Sequence, residues 1–314
     1  MNEVACLLLS SSLDYSTDSV CLELEKREIP YLRINRDQLH EVRVSLDIVE
    51  RTLDIDTAEG RYSFTNNPSN SVFFRAPTFS RNYNKVYSVE EQLHRGQWAA
   101  FFRNLIVFDK IKWVNNPVAT YRAENKVYQL AVAKESGLLI PQTLVTNHTK
   151  DLYNADVVAV KSIDTVVLRE EDSEMFAYTS VVSRDSLSDG DLRDAPVFVQ
   201  EYLKNKKDIR VAFIGDKLFS FQILKEEKGI YGDWRRIKKE ELLYVPFILP
   251  PAVTISLKRM MDRLELRYGG IDLIESEGSF FFIEVNPTGE WYWLQSNTGI
   301  DLCGAIVGVL NNDL

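Results

Sequence analysis

The stretch FFIEVNPTGEW, residues 281–291, sets a carboxylate and an amide, Glu284 and Asn286, inside an otherwise apolar run. Side chains two apart in a strand point to one face, so this pair projects together while Phe282, Ile283 and Val285 can serve packing. The preceding strand of the same hairpin carries Asp272. With a three-residue loop, 277–279, Asp272 stands opposite Glu284, whereas a two-residue turn at Glu277 and Gly278 puts the two on opposite faces. In the first register two carboxylates and an amide oxygen converge, and like charges that close repel unless a cation holds them. Hard oxygen donors of this kind suit Mg²⁺ whose remaining ligands are substrate phosphates and water. The plainer alternative is an edge strand whose polar residues face solvent.

Two lysines add to the first reading. Lys126 falls in the first turns of a helical segment, and Lys161 ends the strand VVAVK, a lone positive charge after four apolar residues. An ammonium at such a place can meet a phosphate as a point charge, and a solvated surface lysine is the bland alternative. A third element is FVQEYLKNKKDIRVAFIGD. Its apolar strand runs into Gln200, Glu201, Tyr202 and Leu203, and the next strand sets Asp208 and Arg210 on one face. An internal salt bridge would account for that pair. A nucleotide cleft would account for it too, with hinge backbone for a base, Asp208 for ribose hydroxyls and Arg210 for phosphate oxygens. The chain has no GxxxxGK[ST] or GxGxxG phosphate loop, no HExxH helix and no GxSxG elbow. Its three histidines, His40, His94 and His148, lie outside every motif above, which argues against histidine-based catalysis.

Positioning these groups requires an α/β framework. VACLLLSSS, STDSVCLELEKRE and IPYLRIN read as a β-α-β opening, with further strands in VRVSLDIV, RYSFT and SVFFRAP. Residues 120–136 predict one helix with Ala123, Val127, Leu130 and Lys134 along a stripe and Gly137 as its stop. LLIPQTLVTN and DVVAVKSI read as strands, followed by a polar acidic stretch, residues 164–194, in which YTSVV can form one more. Then come PVFVQEYL, IRVAFIG and KLFSFQIL, a loop with GIYGDWRRIKKEE, a helix in VTISLKRMMDRLEL, the hairpin GGIDLIESEGSFFFIEVN and a last helix in LCGAIVGVL. The lobes predicted are 1–115, 116–194 and 195–314.

At 314 residues, 45% hydrophobic and 26% charged, the chain has ample apolar material for a core. No apolar run reaches the ~18–20 residues of a membrane span, and the start lacks a basic cluster before its short apolar segment, so no anchor or signal peptide is expected. Cys6, Cys21 and Cys303 are far apart, without zinc-site spacing, and read as buried thiols in a reducing compartment, the cytoplasm by default. A net charge of −9 disfavours nucleic acid as a partner.

The order of the motifs resembles that of ATP-grasp carboxylate-amine ligases: AENK with Lys126, VAVK with Lys161, VQEYL with Glu201 to Leu203, DIR with Asp208 and Arg210, GDWR with Arg235, IDL with Asp272, and IEVNPTGEW with Glu284 and Asn286. The resemblance implies an N-terminal α/β pre-ATP-grasp domain, a small central α/β lobe and a C-terminal antiparallel-sheet lobe, with ATP between the last two. It implies further that the lysines and arginines contact ATP phosphates, that the hinge reads adenine, and that Asp272, Glu284 and Asn286 hold two Mg²⁺ ions. Within that superfamily FFRAP (residues 73–77), YRAENKVYQLAVAKESGLLIPQTLVTN and EVNPTGEW resemble the graspetide synthetases, which crosslink ribosomally made peptides. The implied partner is a precursor peptide with a leader and an acidic core, and a homo-oligomer is compatible with this. An acidic core needs a local basic patch. DWRRIKKE supplies Arg235, Arg236, Lys238 and Lys239, and Arg75 of FFRAP is a further substrate candidate. The alternatives are intermolecular ligation of an amino acid or dipeptide, and a non-catalytic module that binds nucleotide or scaffolds a peptide.

Overall fold

A computed structural model describes residues 1–75, 87–150, 152–164, 167–170, 173–176 and 178–311. The chain begins with β1 (Asn2–Glu3), β2 (Cys6–Ser10), α1 (Tyr15–Lys26), β3 (Tyr31–Asn35), β4 (Arg43–Asp47), β5 (Thr52–Thr57), β6 (Gly60–Thr65), β7 (Ser71–Phe74), α2 (Val89–Asn104) and β8 (Lys112–Val114). β2, CLLLS, is buried at every position, as a strand covered on both faces must be. It lies in a parallel sheet of order β3-β2-β7-β8, beside a second sheet of order β1-β6-β5-β4. The end of the predicted strand SVFFRAP, Ala76 and Pro77, lies outside the described residues.

The middle of the chain holds α3 (Pro117–Ala123), α4 (Lys126–Glu135), β9 (Thr143–Thr146), β10 (Val157–Lys161), β11 (Val167–Glu170), β12 (Ser173–Phe176), β13 (Ser180–Ser183), α5 (Asp189–Leu192) and β14 (Val197–Glu201). The single helix expected over 120–136 is therefore two. The Asn125 side chain turns back to the carbonyls of Tyr121 and Arg122 (3.0 and 3.1 Å), the local bonding that lets asparagine end a helix. Of the predicted stripe Ala123 and Leu130 are buried, while Val127 and Lys134 face outward, and Gly137 ends α4 at φ +93°. β14 pairs with β9 and β10 in an antiparallel sheet of order β13-β10-β14-β9, so the smaller sheet runs past the boundary drawn at residue 194.

The remainder is β15 (Lys207–Ile214), β16 (Lys217–Leu224), β17 (Leu243–Phe247), α6 (Pro251–Arg263), β18 (Tyr268–Ser276), β19 (Ser279–Asn286), α7 (Tyr292–Thr298) and α8 (Leu302–Asn311). The five strands form an antiparallel sheet of order β17-β16-β15-β18-β19. One face packs Ile209, Val211, Ile271, Phe282 and Val285 against Leu130 and Ala133 of α4 and Leu257 and Met261 of α6. On the other face Ala212, Ile214 and Tyr268 share a core with α8, which also packs on Cys6, Val20 and Val114. That second face is thus covered at one end and holds polar residues at the other. All three cysteines are buried and unpaired. No helix among the described residues is long and apolar enough to cross a membrane.

Candidate active site

The hairpin joining β18 and β19 realises neither of the two simple registers. Its turn is the two-residue Glu277-Gly278, both at positive φ (+51° and +78°), the mirror-image turn that matches strand twist. Ser276 faces Ser279 and Leu273 faces Phe282, but Asp272 then faces Glu284. The inserted residue is Ile283, a β-bulge that sets two residues against one and reverses the phase of the strand beyond it. The expectation that a two-residue turn separates the carboxylates is overturned by this bulge. Phe282 and Val285 both reach the core although they are three apart, and Ile283, Glu284 and Asn286 all line the cleft.

That cleft, about 420 Å³, opens between the two antiparallel sheets. Lys126, at the first position of α4, places Nζ 3.3 Å from one Glu284 oxygen, and Arg235 Nη1 lies 3.7 Å from the other. Arg235 also grips Asp233 with Nε and Nη2 (2.9 and 2.8 Å). Arg210 donates to Asp272 at 2.9 Å. A β-carbon at Gly270 would come within 2.1 Å of the Arg210 guanidinium, so that glycine makes room for it. Asp208, two residues before Arg210, is ion-paired to Lys206. Burial nonetheless pushes the Asp208 carboxyl up to about 6, against the pull of Lys206.

Burial likewise raises the Asp272 carboxyl, with Arg210 opposing and Glu284 reinforcing the rise. Burial acts on Glu284 too, yet Lys126, Lys161 and Arg235 together hold it below the usual glutamate value. Lys161 ends β10 with its ammonium 5.8 Å from the centre of the Phe198 ring. Burial brings it down to about 8, with Lys126 and Arg235 adding to the fall and Glu284 resisting it. Gln200, Glu201, Tyr202 and Leu203 line the cleft where the chain passes from the smaller sheet to the larger. Gln200 is anchored to Thr143 (2.8 Å), and the Tyr202 hydroxyl accepts from the Gly232 amide (3.3 Å), tying the hinge to the loop that carries Arg235. A β-carbon at Gly229 would sit 1.9 Å from the Lys206 carbonyl oxygen, so this loop packs that close only with glycine there.

The remaining candidates lie elsewhere. Arg75, with a side chain only 4% exposed, binds Asp14 (2.9 Å) and Glu290 (2.7 Å), reaches the Gly289 carbonyl (3.4 Å) and stacks near Phe73 and Tyr268. It ties the N-terminal sheet to the loop after Asn286. The Arg236 guanidinium sits 5.4 Å from the Tyr178 ring centre, and Lys238 and Lys239 are exposed. Sequence reasoning passed over Lys206, Gln129 and Asp233. Lys206 was hidden in the charge run KNKKD, and its alternation with Asp208 was the available signal.

Among the described residues no three His, Cys, Asp or Glu side chains gather into a self-contained metal cage. Two facing carboxylates and the Asn286 amide, whose oxygen accepts from the Thr288 amide (3.1 Å), make a partial set of hard oxygen donors. Such a set fits Mg²⁺ that draws its other ligands from phosphates and water.

A two-sheet clamp with hinge, paired cations and facing carboxylates defines the class, and the chain has the ATP-grasp fold. The structure is similar to that of macrocyclase MdnC bound with precursor peptide MdnA from Microcystis aeruginosa MRC, at 21% identity, TM-score 0.80, and 98% and 99% of the two chains covered. It is also similar to a Chryseobacterium gregarium RiPP-associated ATP-grasp ligase in complex with ADP and a leader and core peptide (24%, TM-score 0.77, 100% and 98% covered). In sequence, a probable alpha-L-glutamate ligase of Trichodesmium erythraeum is 23% identical over 206 residues, 64% of this chain and 68% of that protein. No protein-family profile matches the sequence.

Proposed function

We propose that the protein is an ADP-forming ATP-grasp ligase that builds ester or amide crosslinks into a ribosomally made precursor peptide. The observation that carries this is the bulge that turns Glu284 to face Asp272, with Asn286 lining the same cleft, among Lys126, Lys161 and Arg235. In this reading Gln200, Glu201, Tyr202 and Leu203 receive the adenine, Asp208 the ribose hydroxyls, and Lys126 and Lys161 the phosphates. Asp272, Glu284 and Asn286 would hold two Mg²⁺ ions, which supply charge neutralisation on the phosphate oxygens. A substrate carboxylate oxygen bonds to the γ-phosphorus as its bond to the β-bridging oxygen breaks, releasing ADP and leaving an acyl phosphate. A hydroxyl or amine of the same peptide then attacks the acyl carbon, giving up a proton to the departing phosphate or to water as the acyl–oxygen bond to phosphate breaks. Arg210 and Arg235 stabilise the charge that develops on the transferring group, which is the main task of a protein in phosphoryl transfer. Arg236, Lys238 and Lys239 offer a basic rim for an acidic core segment, and Arg75 acts from behind the site by holding Glu290.

Mass spectrometry of a candidate precursor peptide incubated with the protein, ATP and Mg²⁺ tests the proposal. One water should be lost per crosslink. A gain in mass by one residue would instead favour intermolecular ligation, the activity in the name of the curated relative. No ADP formation with any carboxylate acceptor would leave only a non-catalytic nucleotide-binding role.

A further inference from the structure

β19 is the outermost strand of its sheet, and the bulge at Ile283 interrupts its ladder with β18 just before Glu284, which faces Asp272, and Asn286, which faces Gly270. An edge strand with an interrupted ladder has backbone groups left without a strand partner at the bulge, and the core packing of Phe282 and Val285 does not satisfy them. Here the open edge is closed by single groups. The Leu139 carbonyl accepts from the Phe282 amide at 2.8 Å on one side of the bulge. On the other, the Gln129 side chain accepts from the Val285 amide (2.9 Å) and donates to the Val285 carbonyl (2.7 Å).

A primary amide both donates and accepts, so it can meet the N–H and C=O of one strand residue as a neighbouring strand would. Gln129 is 2% exposed, and it also donates to the carbonyl of Ala123, where α3 ends. Val285 lies between Glu284 and Asn286. Gln129 lies three residues after Lys126 on α4, one turn along, and Lys126 reaches Glu284. One helical turn therefore grips two adjacent residues of the bulged strand, one by its backbone and one by its carboxylate.

We infer that Gln129 is a positioning residue that stands in for a missing strand, fixing Glu284 and Asn286 at a set distance from Lys126. The inference rests on the proposed ATP and Mg²⁺ reading of the site. Its test uses Gln129→Met, which keeps length and burial and removes both bonds to Val285. ADP affinity is measured by calorimetry with and without Mg²⁺, folding by thermal unfolding, and the Val285 amide by hydrogen exchange. The expected result is metal-free ADP affinity within about twofold of the parent, a Mg²⁺-linked gain reduced at least about tenfold, and faster exchange at Val285.

Gln129→Glu is the second variant. Protonated, its carboxyl donates and accepts like the amide; ionised, it can only accept. Its Mg²⁺-linked gain, as a ratio to the parent at the same pH, should match the parent wherever that carboxyl is protonated and fall wherever it is ionised, so it never rises from about pH 6 to about pH 8. A gain that survives intact in folded Gln129→Met, or a Gln129→Glu ratio that rises between about pH 6 and about pH 8, overturns the inference while leaving the proposed function standing. A parent protein with no Mg²⁺-linked gain overturns both.

Discussion

Lys161 offers the sharpest test of the cleft, because its burial makes its charge titrate near the working range. The ordinary lysine value of 10.5 falls to about 8 here, with burial the largest cause. If the ammonium form meets nucleotide phosphate, affinity follows the protonated fraction of the free protein. With a value near 8 that fraction is roughly 0.9 at pH 7 and roughly 0.09 at pH 9, so ADP affinity should fall about tenfold, or ~1.4 kcal/mol, between them. Lys161→Met should bind more weakly at pH 7, with a nearly flat profile that converges on the parent near pH 9. Isothermal titration of ADP across this range reads both curves. Stability supplies an independent sign. Above about 8 the folded protein sheds a proton that the unfolded chain keeps up to 10.5, so stability should rise with pH across that window relative to Lys161→Met. A parent affinity that is flat from pH 7 to 9, or the same decline in Lys161→Met, refutes the placement of this ammonium on phosphate.

Three further outcomes are expected. Glu284→Gln keeps the shape of the site and removes the charge facing Asp272, so Mg²⁺-dependent ADP release should fall by about 10²–10³ with folding retained; full activity would remove Glu284 from the metal set. Gly270→Ala should drive the Arg210 guanidinium off Asp272, lowering turnover by about 10²-fold without changing the secondary structure seen by circular dichroism. Arg75→Met removes the cation shared by the half-buried Asp14 and by Glu290, leaving Asp14 with only its bonds from Ser10 and Thr17; denaturant titration should show a loss of about 3 kcal/mol, and a change under about 1 kcal/mol would show that Arg75 is not a structural tie.

The sequence made the site legible at the level of residue types and the sheet legible at the level of strands, because alternation and spacing survive without coordinates. What it hid were the phase changes. FFFIEVN was read with two registers in view, yet the bulge produces the favourable facing from the unfavourable turn. The available clue was that Phe282 and Val285, both strong core residues, are three apart, which no regular strand can bury on one face. The break at Asn125 was equally hidden, since AVAKES and YRAE share helical composition and the break depends on a side chain folding back on its own helix. That β14 pairs with β9 and β10 is not legible either, because pairing partners distant in sequence leave no local mark. Arg75 is a candidate only through the FFRAP resemblance, and no local pattern signals that its guanidinium lies between Asp14 and Glu290, which are distant in sequence.

The pairing of the cleft residues with one another explains how such a density of charge can be folded. Lys126 with Glu284, Arg210 with Asp272, Lys206 with Asp208 and Arg235 with Asp233 set each buried carboxylate against a cation, and a lone buried charge would cost several kcal/mol. If nucleotide and Mg²⁺ bind as proposed, the same pairing constrains how they enter. Mg²⁺ arriving alone must compete with Lys126 for Glu284 and leave that ammonium unpaired. Nucleotide arriving alone must bring its phosphates against Glu284 and Asp272, and like charges at that distance repel. When both arrive, Lys126 and Arg235 exchange a carboxylate for a phosphate and neither partner is left uncompensated. In the proposed reading the two ligands favour each other's binding, and the coupling runs through Glu284, which Lys126 and Arg235 both approach.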